Sequence, residues 1–108
     1  MSEKKFLKDY FKSLSNFLNK EEYLDKLINL KKVLLETHKK GKKTLIFGNG
    51  GSAAIASHFS VDLTKNARVR CTNYNESDLL TCFSNDFGYE KWVEKTIEYY
   101  GDEGDNVI

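Results

Sequence analysis

The sequence predicts an α/β fold, a three-layer doubly wound parallel sheet preceded by an N-terminal helical hairpin, and three observations predict it. The first forty residues repeat apolar side chains at helical spacing. Thr44-Leu45-Ile46-Phe47 is a short apolar run without that spacing, with Gly41 before it and Gly48 after it, the pattern of a buried strand. From there strand-like and helix-like segments alternate to the last residue, which implies right-handed crossovers between parallel strands.

Taken in order, residues 4–19 place Phe6, Leu7, Tyr10, Phe11, Leu14, Phe17 and Leu18 three and four apart, one apolar stripe on a helix. A second helix is predicted from about Lys20 to Lys40, with Leu24, Leu27, Ile28, Leu34 and Leu35 on its buried side. Lys39-Lys40-Gly41 supplies its stop, cations in the last turn and a glycine able to take a left-handed cap. After the strand at 44–47, the small residues from Ser52 onward predict a helix to about Lys65, whose Ala53, Ala54, Ala56 and Ser57 allow close packing on a sheet. Ala67 to Asn73 is a second strand, with Arg68-Val69-Arg70-Cys71 alternating. Glu76 to about Ser84 and Tyr89 to Tyr100 are two more helices, broken around Asn85-Asp86-Phe87-Gly88. Gly101-Asp102-Glu103-Gly104 is a turn, and Asp105-Asn106-Val107-Ile108 opens a third strand in which the sequence stops, as a fragment of a longer chain would. The expected division is a helical hairpin over 1–41 and an α/β unit over 42–108.

Composition narrows the function. With 108 residues the chain is one domain at most, able to bury roughly two-thirds of its unfolded surface. Apolar residues at 40% and aromatics at 13% exclude a disordered chain. No apolar run approaches the roughly 18–20 residues of a membrane span, and the charged start is not a signal peptide. Cys71 and Cys82 make no metal or redox spacing. The expectation is a cytoplasmic protein without membrane association. The net charge of +1 conceals +6 over residues 1–43, from twelve lysines against six acids, and −5 over residues 44–108, from five basic residues against ten acids. The lysines alternate with the apolar helical pattern, which makes them a solvated face, and no aromatic–basic interleaving suggests nucleic acid. Trp92, Tyr99 and Tyr100 are read as core or subunit contacts.

Gly48-Asn49-Gly50-Gly51-Ser52, between a predicted strand and a helix, carries the chemistry. Its glycines allow positive φ and close approach of a ligand. The following helix offers unpaired N–H groups and the positive end of its dipole to an anion or a sugar hydroxyl. Ligands of open parallel sheets bind outside the carboxyl ends of strands, where this loop falls. Three readings compete. Gly48-x-Gly50-x-x-Ala53 fits a dinucleotide fingerprint, but that pattern wants an acid closing the second strand, and the chain has Arg70, Cys71 and Thr72 there, with Glu76 arriving late. A plain tight turn capped by Ser52 is the second, and a phosphosugar site the third.

Phe47-Gly48-Asn49-Gly50-Gly51-Ser52-Ala53-Ala54, followed by Ser57-His58-Phe59 and Asp62-Leu63-Thr64, resembles the sugar isomerase (SIS) domain of the phosphoheptose isomerases, a Rossmann-like fold. Ser84-Asn85-Asp86-Phe87-Gly88-Tyr89-Glu90 resembles that family's second segment, normally Gly-Asn-Asp-[Phe/Tyr]-Gly, and Gly101 to Ile108 resembles the lead-in to its third strand. On this resemblance residues 42–108 are the N-terminal part of a SIS phosphosugar-binding domain. It implies isomerisation of sedoheptulose 7-phosphate to D-glycero-D-manno-heptose 7-phosphate for bacterial surface heptose, lipopolysaccharide included, by a cytoplasmic homotetramer that often carries zinc. Asn49, Gly50, Gly51 and Ser52 would contact substrate, as would Asn85 and Asp86. His58 would be a metal ligand, and Asp62 would serve substrate, metal and catalysis where the family has glutamate.

The chemistry is compatible with those residue types. Aldose–ketose exchange moves a proton between neighbouring carbons through an enediol and needs an acid/base group in reach. His58 and Asp62, four apart, share a helix face; spacing alone would equally make them a surface pair. Asn85-Asp86 would equally make a turn between helices. Two departures bear on the expectation. Asp62 is one methylene shorter than glutamate, and a carboxylate displaced by about 1 Å is costly in catalysis. The family's serine-rich phosphate loop and its later Gln and His metal ligands would lie beyond Ile108, so the 108-residue chain alone is expected to lack isomerase activity. The alternative is a non-catalytic SIS-domain module that binds phosphosugars or regulates, of the DnaA initiator-associating type.

Overall fold

The computed structural model describes all residues, Met1–Ile108, which divide into two compact units, Met1–Lys32 and Val33–Ile108.

In the first unit α1 (Glu3–Leu18) starts on Ser2, whose hydroxyl accepts from the Lys5 N–H at 3.2 Å, an N-cap that satisfies one of the orphan donors of the first turn. Asn19 ends it, and Lys20 leads into α2 (Glu21–Lys39), with the Phe17 and Tyr23 rings 4.8 Å apart across the turn. The helical periods read from the sequence are there, but the burial is not. No residue of α1 is buried, and Leu24, Leu27, Ile28 and Leu35 of α2 are exposed; of the five residues expected on its buried side only Leu34 is buried. Spacing thus predicted both helices, while the burial expected of Leu24, Leu27, Ile28 and Leu35 is not found.

The second unit is built on β1 (Thr44–Ile46), with Thr44, Leu45 and Ile46 all buried. It is the middle strand of a three-stranded parallel sheet ordered β2-β1-β3, flanked by β2 (Cys71–Asn73) and β3 (Asn106–Val107). Thr44 pairs with Cys71 on one side and Asn106 on the other. The ladder runs past β3, since the Phe47 N–H donates to the Ile108 carbonyl at 2.8 Å. Between β1 and β2 lies α3 (Gly51–Lys65), which buries Ala53, Ala56 and Ser60, a stripe three and four apart of residues small enough to bring the helix onto the strands.

β2 begins later than predicted. Ala67 to Arg70 are not strand, because the chain reverses after α3 with Arg68 at φ 59°, while Val69 is buried and its N–H donates to the Leu63 carbonyl. Thus Val69 anchors a turn, although its alternation with arginines resembled a strand. Glu76 then caps α4 (Ser77–Phe87), its carboxylate accepting from the Asp78 and Leu79 N–H groups. This helix also departs from expectation: it continues through Asn85, Asp86 and Phe87 and ends only at Gly88, where φ is +92°. A 3-10 turn at Tyr89–Lys91 leads into α5 (Trp92–Tyr100). Trp92 is buried with its ring edge against Phe47, and Tyr99 and Tyr100 are exposed.

At the amino ends of β1 and β3 the Lys43 ammonium lies 2.7 Å from Asp105 and 2.8 Å from Asp102. Asp105, 4% exposed, also accepts from the Lys43 and Asp102 backbone N–H groups. That pairing fixes the turn before β3. No helix is long and apolar enough to cross a membrane.

Candidate functional site

The chain leaves β1 on one side for β2 and returns past it to β3 on the other. Carboxyl ends of strands at such a reversal open the crevice in which α/β proteins bind ligands. The segment Gly48–Gly51 turns there into α3. Gly48 is required by close approach: a Cβ on it would lie 2.6 Å from the Ala53 nitrogen and closer still to the Ser52 carbonyl. Gly50 has φ +57°, a left-handed conformation in which glycine is unstrained.

Ser52 locks the loop. Its hydroxyl accepts from the Asn49 N–H and donates to the Asn49 carbonyl, both at 2.8 Å, and its own N–H donates to the same carbonyl. Ala53 and Ala54 both donate to the Gly50 carbonyl. The Gly50 and Gly51 N–H groups then have no hydrogen-bond partner in the protein, at the end of a fifteen-residue helix where the dipole favours negative charge. Asn49, Gly50, Gly51 and Ser52 are all exposed. Beside them an open cleft of about 340 Å³ is lined by Phe47, Gly48, Asn49, Trp92, Val93, Val107 and Ile108.

The other expected residues fall in two groups. His58 and Asp62 share the outer face of α3, with Nε2 3.6 Å from Oδ2 and side chains 77% and 52% exposed. Asp62 Oδ1 also accepts from the Asn66 amide at 3.2 Å. Two donors are one short of the three protein ligands that a catalytic zinc takes, and no group of three or more His, Cys, Asp and Glu side chains is placed to hold a metal. By themselves these residues do not fit a zinc site. Asn85 and Asp86 form the second group, in the last turn of α4, where the Asn85 amide donates to Asp86 Oδ1 at 3.2 Å. The turn between helices that they resembled is replaced by helix. In the motif position where the resembling family has glycine, Ser84 holds its hydroxyl buried and without a partner.

One contact joins the two motif segments and was not legible in the sequence. The Tyr89 hydroxyl donates to Asn49 Oδ1 at 2.7 Å. Only the motif residue Gly88, which ends α4 and sets where Tyr89 emerges, offered any signal of it.

Comparison with known proteins bears on this geometry. No model of a known protein family matches the chain. The phosphoheptose isomerase of Sodalis glossinidius is 36% identical over 101 residues, covering 89% of this chain and 52% of the relative. That of Fusobacterium nucleatum is 35% identical over 106 residues, covering 94% and 55%. Both relatives are named phosphoheptose isomerase. The chain spans about half the length of those relatives. The solved phosphoheptose isomerase of Neisseria gonorrhoeae superposes with a TM-score of 0.81 over 96% of this chain and 57% of that one, at 24% identity. The fold of the chain, N-terminal helices followed by a parallel sheet, is therefore shared with a phosphoheptose isomerase.

Proposed function

We propose that this chain forms the N-terminal, sugar-gripping part of a phosphoheptose isomerase that interconverts sedoheptulose 7-phosphate and D-glycero-D-manno-heptose 7-phosphate. The observation that carries the reading is the loop at 48–52. It pairs two unsatisfied N–H groups, Gly50 and Gly51, with an open cleft at the carboxyl end of β1, and the curated relatives are isomerases of this name. An electronegative oxygen of a phosphorylated sugar satisfies those donors without any side chain. Asn49 and Ser52 complete the substrate contacts from this loop, and Asn85 and Asp86 supply others. Asp86 sits at the negative end of the α4 dipole, a position that disfavours a carboxylate, and local conflicts of this kind are expected at functional rather than purely structural positions.

In the reaction a carboxylate takes a proton from one carbon of the ketose and returns it to the neighbour, through an enediol. Asp62 is assigned that role, with His58 four residues before it on the same face. A zinc ion would draw on His58 and Asp62 and would need further ligands from outside these 108 residues; the proton transfer is assigned to Asp62 without it. The enzyme is proposed to be cytoplasmic, to supply heptose for bacterial lipopolysaccharide, and to assemble as a homotetramer. The exposed stripe of α1, and Ile55 at 71% exposure beside His58 on α3, support the assembly.

The test is turnover of sedoheptulose 7-phosphate. The 108 residues alone are expected to be inactive, the full-length polypeptide containing them to be active, and Asp62→Ala to lower kcat by about 10²–10⁴. Full-length protein that binds the sugar phosphate without turning it over would favour the non-catalytic regulatory module.

A further inference from the structure

Tyr89 and Asn49 are forty positions apart, both exposed, and joined by one short hydrogen bond of 2.7 Å. A neutral bond at an exposed site adds little to folding stability, so its main effect is on orientation. The phenol donates and the carboxamide oxygen accepts. With Oδ1 turned to the phenol, the Asn49 amide points its Nδ2 donors the other way, and no protein acceptor is bonded to them. The residue cannot turn away by its backbone either, since its N–H and carbonyl are both held by Ser52. It lines the open cleft beside β1 and β3. Tyr89 itself is held by what precedes it: α4 stops at Gly88, φ +92°, and the 3-10 turn starts at Tyr89.

We propose that Tyr89 is a positioning residue. Its hydroxyl turns the Asn49 carboxamide so that the NH₂ edge meets an acceptor oxygen of the phosphosugar, and it couples the Asn85–Asp86 segment to the 48–52 loop. The proposal rests on the reading of that loop as the sugar-gripping element, and it makes the ligand group facing Asn49 an acceptor: a hydroxyl, carbonyl or phosphate oxygen. Without the phenol oxygen the amide is free to flip and present its own oxygen to the ligand, which repels an acceptor.

The experiment is a kinetic double-mutant cycle on the full-length protein with sedoheptulose 7-phosphate. Tyr89→Phe keeps the ring and removes the hydroxyl. It is expected to raise KM about three- to tenfold, the worth of one neutral hydrogen bond, with kcat within about twofold and the melting temperature unchanged. Asn49→Ala is expected to raise KM at least as far. The double variant should be no worse than Asn49→Ala, because the hydroxyl acts only through the amide. An unchanged KM in Tyr89→Phe, effects that multiply in the double variant, or a joint fall of kcat and melting temperature would each overturn the proposal while leaving the isomerase reading in place. Wild-type protein that neither binds nor turns over the sugar phosphate would end that reading, and this one with it.

Discussion

Gly48 has no room for a side chain. The first turn of α3 crosses so close that an added methyl would lie 2.6 Å from the Ala53 nitrogen and nearer to the Ser52 carbonyl, both backbone atoms that move only if the helix start moves. Gly48→Ala is therefore expected to destabilise the fold by about 1–3 kcal/mol, seen as a lower urea midpoint at unchanged slope. A variant as stable as the wild type would mean that the turn into α3 is looser than described. The sequence offered glycines in this loop that allow positive φ and close approach, but could not say which one is sterically fixed. Tyr89 is the opposite case. Its partner is forty residues away, and nothing in local spacing could reveal it.

Among the elements, those with an internal signal were legible and those decided by tertiary context were not. The apolar run of β1 and the alanine-rich start of α3 announced themselves. The end of α4 was misread because Asn85 and Asp86 favour turns in isolation, whereas here the helix runs on to the first residue that breaks it, Gly88. The start of β2 was misread because Val69 alternates with two arginines yet serves as a buried anchor after a left-handed Arg68. The entry to β3 carries its own prediction. Burial would raise the Asp105 carboxyl, but hydrogen bonds from the Lys43 ammonium and from the Lys43 and Asp102 N–H groups outweigh it and hold the group down from 3.8 to about 2. A carboxyl whose folded pKa is depressed stabilises the fold above its unfolded pKa and loses that contribution as pH falls through the folded one. About 2 kcal/mol should thus disappear between roughly pH 4 and pH 2. Unfolding measured across that range should show the loss in wild type and a flatter profile in Asp105→Asn; identical profiles would remove the Lys43–Asp105 pair from the account.

For the whole molecule, the open question is what the helical stripes meet. Periodicity identified α1 and α2 and could not tell whether their apolar faces meet this chain or another, because both arrangements require the same spacing. In α1 Phe6, Leu7, Tyr10, Phe11, Leu14, Phe17 and Leu18 are all exposed, an apolar stripe of the kind that marks an interaction surface. If copies of the chain cover it, sedimentation of the full-length protein should give a tetramer, and Phe11→Asp should shift it toward smaller species without unfolding the monomer. A wild-type protein that sediments as a monomer at micromolar concentration would refute that assembly.

The site depends on the same division between local and distant information. The exposed turn at Asn49, Gly50, Gly51 and Ser52, with its free Gly50 and Gly51 N–H groups, was legible because backbone donors need only the right turn. His58, Asp62, Asn85 and Asp86 are proposed for the site through resemblance alone, and they lie in two groups with no hydrogen bond between them. The exposed turn is thus the part on which the functional account rests, and its amides can be watched directly. In ¹⁵N-labelled full-length protein titrated with sedoheptulose 7-phosphate, the Gly50 and Gly51 amide signals should move together and saturate, ahead of signals elsewhere in the chain. Saturating shifts confined to other residues, with Gly50 and Gly51 unmoved, would contradict it.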